Sequence, residues 1–378
     1  MTFDYITAGE SHGRMLSAVI NNVPAGFKID LDFINNDLAR RQKGYGRGGR
    51  MKIEKDEIDI VTGVRNGETT GSPVTMLIYN NDWENWKGKE PEPFTRPRPG
   101  HADLLGGIKY RREDLRDILE RSSARETAIR VAVGSFAKSI LKEFSIRFVG
   151  FVTGIGGVTV GNGEGLRFDE MVHKSEQSEL RTVNHAKDSE IIGLIDKAKS
   201  QGDTLGGTFR VIIHNVPRAL GSFNHYANKL DARLAMSLMS IQAVKGVSFG
   251  LGFDYAQTNG KNAHDEIFYS EEKGYFYKTN HAGGIEGGMT NGNDIIINGV
   301  MKPIPTLMSP LQSVDIRTKQ PFEAVKERSD ICAVPACAVV AECVSAVDVL
   351  RVFTERYGSD NCHQMKQSFT QMEIAHPD

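Results

Sequence analysis

Residues 121–128 read Arg-Ser-Ser-Ala-Arg-Glu-Thr-Ala, gathering two guanidiniums, three hydroxyls and a carboxylate into one short stretch. A segment this polar is not a plain core helix. Arg121 and Arg125 stand four apart, so on one helix face they would repel by about 0.2–0.5 kcal/mol unless an anion lay against them. Gly9-Glu10-Ser11-His12-Gly13 puts a histidine and a serine in a glycine-flanked turn, where a ligand can approach closely. Arg96-Pro97-Arg98-Pro99-Gly100-His101-Ala102-Asp103 places a second histidine beside two arginines and an aspartate. Between Ala39 and Lys52 lie Arg40, Arg41, Lys43, Arg47, Arg50 and Lys52 with no acid among them. Each segment also has a bland reading: a structural histidine, a solvated basic loop, or a nucleic-acid tract of the RGG type. Taken together, the set suits a polyanionic substrate with phosphate or carboxylates, and a histidine able to protonate a leaving oxygen near neutral pH.

These residues need elements to hold them. Leu115, Ile118, Leu119, Ala128, Ala132, Phe136, Ile140 and Leu141 recur at helical spacing, which predicts one long helix from Glu113 to Glu143 with the 121–128 stretch in its middle. A second helix is expected from Leu230 to Ala243. Thr208–Ile213, Gly246–Asp254 and Asp294–Val300 alternate as strands do, and residues 84–99 read as a long loop. Helices and strands do not alternate as in a βαβ series, so the expected class is α+β. The glycines, 39 against 13 prolines, cluster in polar segments that lack the low complexity of spacers, which marks those segments as site loops.

The 378 residues carry a formal charge of −2, so any strong basic site must be local and the whole molecule has no field to recruit nucleic acid or an anionic membrane. No apolar run approaches the roughly 18 residues of a membrane helix, and the start lacks an export signal, so a cytoplasmic protein is expected. Cys332, Cys337, Cys343 and Cys362 lie late in a long chain without CxxC spacing and read as reduced, mostly buried thiols. Neither a phosphate-binding GxxxxGK[ST] loop nor metal-ligand spacing occurs.

With these segments in order, the chain resembles the chorismate synthase family. The resemblance rests on 9–13, 96–103 and 121–128, then Met239-Ser240-Ile241-Gln242-Ala243-Val244-Lys245-Gly246-Val247, Asn280-His281-Ala282-Gly283-Gly284-Ile285-Glu286-Gly287-Gly288, Lys302-Pro303-Ile304-Pro305-Thr306 and Arg328-Ser329-Asp330. It implies a single large domain over 1–378, with a helical layer between antiparallel β-sheets, and a homotetramer. It implies a lyase that eliminates phosphate from 5-enolpyruvylshikimate 3-phosphate in a 1,4-anti sense to give chorismate. That reaction needs reduced FMN although no net redox change occurs. An FMN-dependent oxidoreductase acting on a small polyanion is the alternative.

Carried over by the resemblance, His12 serves the departing phosphate and His101 the reduced flavin, while Asp330 with Ser11 takes part in proton removal. FMN falls to Arg121, Ser122, Ser123, Gln242, Ala243, Gly287, Lys302, Pro303, Ile304, Pro305, Thr306 and Arg328. Substrate anions fall to Arg41, Arg47, Arg50, Arg98 and Arg125, with Arg328 bridging toward them; family members also contact NADP at the Arg41 and Arg47 positions, and NADPH is a candidate reductant. Arg121 and Arg125 are expected to present flavin and substrate along one helix face. Two positions depart from the family pattern: Arg14, where relatives carry proline or a small apolar residue, and Ile331, where proline is common and would remove a backbone donor.

Overall fold

The computed structural model describes residues 2–48, 55–89, 91–327 and 329–374. The elements that position the site are β1 (Asp4–Gly9), β2 (Met15–Asn21), α1 (Leu31–Gln42), β3 (Asp59–Thr62), β4 (Val74–Tyr79), α2 (Asp103–Tyr110), α3 (Arg116–Ser122) and α4 (Thr127–Lys142). They continue through β5 (Arg147–Ile155), β6 (Val158–Thr159), β7 (Gly207–His214), α5 (Leu230–Met239), β8 (Val244–Phe249), β9 (Ile295–Met301) and α6 (Val334–Tyr357). Among the described residues these strands form two antiparallel sheets, in the orders β1-β2-β4-β3 and β8-β9-β7-β5-β6. Helix α4 packs on β2 and β4 of the first sheet, α6 on β5 and β7 of the second, and the two helices pack on each other. The expected α+β class, with helices layered between antiparallel sheets, is what the chain adopts.

In the first sheet the alternation is clean. Leu16, Ala18 and Ile20 of β2 and Val74, Met76 and Ile78 of β4 are buried against the helices. On the outer face, Ile6 faces Val19 across the β1–β2 pair, and both are exposed. The helices of the middle layer are apolar nearly all round, as a helix enclosed on every side must be. Every residue from Thr127 to Leu141 is buried, as is Val334 to Leu350. Gly134 is where α4 and α6 cross: a Cβ there would overlap the Cys343 carbonyl. Cys332, Cys337 and Cys343 are free and buried and Cys362 is half-buried. Burial pushes the Cys337 thiol up to about 12.

Two helix expectations are corrected. The helix read from Glu113 to Glu143 breaks at Ser123, which is extended at φ −62°, ψ 143°. The Ser123 hydroxyl accepts from the Arg125 N–H at 3.3 Å, capping the 3₁₀ turn Ala124–Glu126 that leads into α4. The apolar positions on the two sides of the break serve different clusters: Leu115 and Leu119 pack with Phe94, whereas Ala128 to Leu141 belong to the main core. The helix read from Leu230 to Ala243 ends at Met239 with Ser240 as its C-cap, and Ala243 takes the left-handed φ of 68° just before β8. The strand read from Gly246 to Asp254 ends at Phe249 and gives way to a 3₁₀ turn, Gly252–Gln257, whereas β7 and β9 match their expected ranges within one residue at each end.

Candidate active site

The break at Ser123 sends the two arginines of the 121–128 stretch in different directions. Arg121 bonds back to β1, to the Thr7 carbonyl at 2.9 Å and hydroxyl at 2.8 Å and to the Gly9 carbonyl at 3.3 Å. Arg125 turns inward, where its Nε donates to Asn80 Oδ1 at 2.9 Å and its Nη1 to Asp56 Oδ1 at 2.6 Å. The shared helix face is therefore corrected. The anion against Arg125 in this structure is the protein's own Asp56, and Arg121 is held by carbonyls.

Arg41, from the last turn of α1, reaches the other oxygen of Asp56 at 3.4 Å and also donates to Thr127 Oγ1 at 3.0 Å and the Ala124 carbonyl at 3.1 Å. Asp56 is thus a buried carboxylate gripped by two guanidiniums. Burial brings Arg41 down to about 10, Asp56 opposes this, and the neighbouring Arg125 and Arg47 charges add to it. Arg47 pairs with Asp330 at 3.1 Å, and Asp330 also accepts from the Gly48 N–H at 2.6 Å. The Ile331 N–H donates to the Gly46 carbonyl at 2.8 Å and so ties the segment that carries Asp330 to the Arg47 loop. Arg14 is exposed at its side chain.

Next to this cradle, Ser123 Oγ bonds Ser11 Oγ at 3.2 Å, and the Ser11 N–H donates to the Glu120 carbonyl at 2.9 Å. His12 follows. Its backbone N–H donates to Glu120 Oε2 at 2.6 Å, its ring Nδ1 lies 2.8 Å from Glu120 Oε1, and its ring packs on Trp86 at 4.3 Å between centroids. Burial alone would raise the Glu120 carboxyl, but the hydrogen bonds and charge of His12 outweigh it and hold it below its usual range.

His101 is built in a parallel way. Its Nδ1 lies 2.6 Å from Asp103 Oδ1, while Arg98 grips Asp103 through Nε at 2.8 Å and Nη2 at 3.0 Å. Burial works to raise Asp103, yet the bonds from His101 and Arg98 hold it at about 2. Arg98 Nη1 also donates to Thr306 Oγ1 at 3.0 Å, Lys302 Nζ donates to the Gly100 carbonyl, and Gly100 faces Pro305, which joins the His101 loop to the 302–306 segment. The Ile304 carbonyl accepts from Thr204 and Pro303 lies beside Gly206.

The remaining expected cofactor residues are more scattered. Gln242 donates to Glu126 at 3.3 Å, and its Oε1 is buried without a hydrogen-bond partner among the described residues, an acceptor suited to a ligand N–H. The Ser122 hydroxyl donates to the Ile118 carbonyl at 2.7 Å, within its own helix. Gly287, at φ 59°, sits in the hairpin next to Gly288, whose carbonyl caps the start of α5 at Leu230, whereas Gln242 and Ala243 lie beyond that helix's far end. Arg50 and Arg328 lie outside the described residues. Asp56, Asn80, Glu120 and Trp86 were not foreseen. Glu120, next to Arg121, was within reach of the motif, but nothing in the sequence around Asp56 marked it.

Hydrogen bonds tie Arg41 to Thr127 and to the Ala124 carbonyl, the Arg125 N–H to Ser123, and Ser123 to Ser11, the residue that precedes His12 in its turn. A family profile described as chorismate synthase matches residues 3–354. The chain belongs to the chorismate synthase family. Chorismate synthase of Geotalea daltonii is 52% identical, covering 97% of each chain, and that of Alkaliphilus metalliredigens is 50% identical over 97% of this chain and 98% of its own. A crystal structure of chorismate synthase superposes with a TM-score of 0.82 at 39% identity, covering 99% of this chain and 98% of that one. Membership makes the protein a carbon–oxygen lyase acting on a small phosphorylated molecule, and implies dependence on a reduced flavin. Among the described residues, no helix is long and apolar enough to cross a membrane.

Proposed function

We propose that this site eliminates phosphate from 5-enolpyruvylshikimate 3-phosphate in a 1,4-anti sense, giving chorismate, with FMN as the flavin. The observation that carries the reading is the meeting of Arg41 and Arg125 on the buried Asp56, with the Ser123–Ser11 bond joining the Arg125 turn to the turn that carries His12. Guanidinium forks fit phosphate and carboxylate oxygens two at a time, so the pair gives the substrate's anionic groups a preformed seat, with Arg47, Arg50 and Arg98 completing it. His12 donates a proton to the departing phosphate oxygen. His101, held by Asp103, keeps a proton available on the flavin side. Asp330, poised by Arg47 and Gly48, takes part in removing the ring proton with Ser11 as relay.

The residues fit a flavin. Lys302 and Thr306 converge on the His101 loop, and Gln242 offers its orphan acceptor. Arg121, Ser122, Ser123, Ala243, Gly287, Pro303, Ile304, Pro305 and Arg328 complete the proposed set. Reduced FMN, when bound, lends electron density as the C–O bond breaks and recovers it as the hydrogen leaves. NADPH is proposed as its reductant, the cytosol as the compartment, and a homotetramer as the assembly. The tetramer is supported by the exposed apolar residues Ile6, Val19 and Tyr79 on the first sheet's outer face.

Anaerobic assay with chemically reduced FMN tests the chemistry. Phosphate release without net flavin oxidation is expected, and stoichiometric oxidation would exclude the lyase in favour of an oxidoreductase. Phosphate release from oxidised FMN with NADPH and no added reductase tests self-reduction.

A further inference from the structure

We propose that Glu120 is a positioning residue that sets the tautomer of His12, placing the ring proton on Nδ1 so that Nε2 exchanges a proton with the substrate. The inference rests on the donor role given above to His12. Its own basis is the two-pronged contact of one carboxylate: Glu120 Oε2 accepts the His12 backbone N–H at 2.6 Å while Oε1 lies 2.8 Å from Nδ1 of the same residue. A carboxylate only accepts, so the nitrogen facing it must carry a hydrogen. The ring packs on Trp86, the Glu120 backbone carbonyl holds the Ser11 N–H, and Glu120 is largely buried. The turn that carries His12 and the carboxylate that orients it are therefore locked together. When His12 is protonated, the same carboxylate stabilises the imidazolium, and loss of the Nε2 proton to the leaving oxygen restores the neutral Nδ1–H form.

The backbone contact makes Glu120→Gln a decisive variant. An amide has one acceptor and one donor end, and the His12 N–H claims the acceptor. The NH₂ must then face Nδ1, which has to become the acceptor, and the neutral ring carries its proton on Nε2 instead. With ¹⁵N-histidine-labelled full-length protein, ring-nitrogen shifts should report Nδ1–H in the parent and Nε2–H in Glu120→Gln. Turnover should fall about 10²–10⁴-fold, by the logic of a wrong-tautomer histidine, with KM changed only a few-fold. Glu120→Asp, which keeps a carboxylate, should retain the Nδ1–H form and recover much of the lost turnover.

An unchanged tautomer in Glu120→Gln overturns the proposal by itself, and a low turnover in His12→Ala would then leave the donor role standing. A switched tautomer with parental turnover overturns both the positioning role and the donor role. Should Glu120→Gln fail to fold, Glu120→Asp decides: an Nε2–H ring in that variant sinks the assignment.

Discussion

Arg41 and Arg125 hold the same carboxylate, and that shared grip sets what losing either one does. Among the described residues, removing Arg125 leaves the buried Asp56 carboxylate with the longer side-chain contact from Arg41. Arg125→Ala should therefore raise KM and also lower stability by about 3–5 kcal/mol, the cost of stranding one member of a buried pair. Steady-state kinetics beside urea unfolding separates the two effects, and unchanged values in both would remove the cradle. His12→Ala and His101→Ala should each reduce turnover about 10²–10⁴-fold if these groups move protons. Circular dichroism should confirm an intact fold, and near-normal turnover in both variants would contradict their roles. The histidines and most of the arginines were readable because glycine turns and clustered guanidiniums are unusual, whereas Asp330 came only from the family resemblance. Asp56 was not, because a lone aspartate gains meaning only from the two arginines that fold onto it.

At the scale of elements, hydroxyl chemistry decides where helices stop. Ser122 bonds back into its helix and Ser123 caps the next turn, so a stretch that reads as one helix becomes two helices with a 3₁₀ turn between. Gly134 shows the opposite case, a glycine inside a helix that is kept for contact. Gly134→Ala should push α4 from α6 and cost about 1–3 kcal/mol in urea unfolding; no loss would mean the crossing is not set by that glycine. Ile331→Pro tests the departure from the family pattern. It deletes the N–H that bonds the Gly46 carbonyl and should cost about 0.5–1.5 kcal/mol while loosening the Arg47–Asp330 pair, read as a rise in KM.

Across the whole molecule, the helical layer is stitched by buried charge. Arg40 of α1 bonds Asp37 at 2.5 Å and Glu342 of α6 at 2.8 and 2.9 Å, and Lys138 of α4 reaches both carboxylates. Burial alone would raise both carboxyls, yet the cations beside them hold each below its ordinary value of 3.8 or 4.5. Because the folded values lie below the unfolded ones, their contribution is complete above about pH 4.5 and is lost as pH falls further. Thermal melting should steepen in pH dependence there, and Glu342→Gln should flatten that slope while costing about 3–5 kcal/mol at neutral pH. A parent melting point that stays level down to pH 2 would refute this. The residue types, their order and the strand alternation by themselves determined the α+β class and the family, and named the candidate site residues, since local spacing and side-chain chemistry are properties of the chain. The enclosed helix α6 escaped notice because a helix buried on every side has no polar face to give it a period. Only the tertiary structure decided that Arg121 and Arg125 part company, that Asp56 joins two arginines, and that Glu120 holds His12. Each of these depends on which distant groups meet once the chain turns at Ser123, and spacing along the sequence carries no such information.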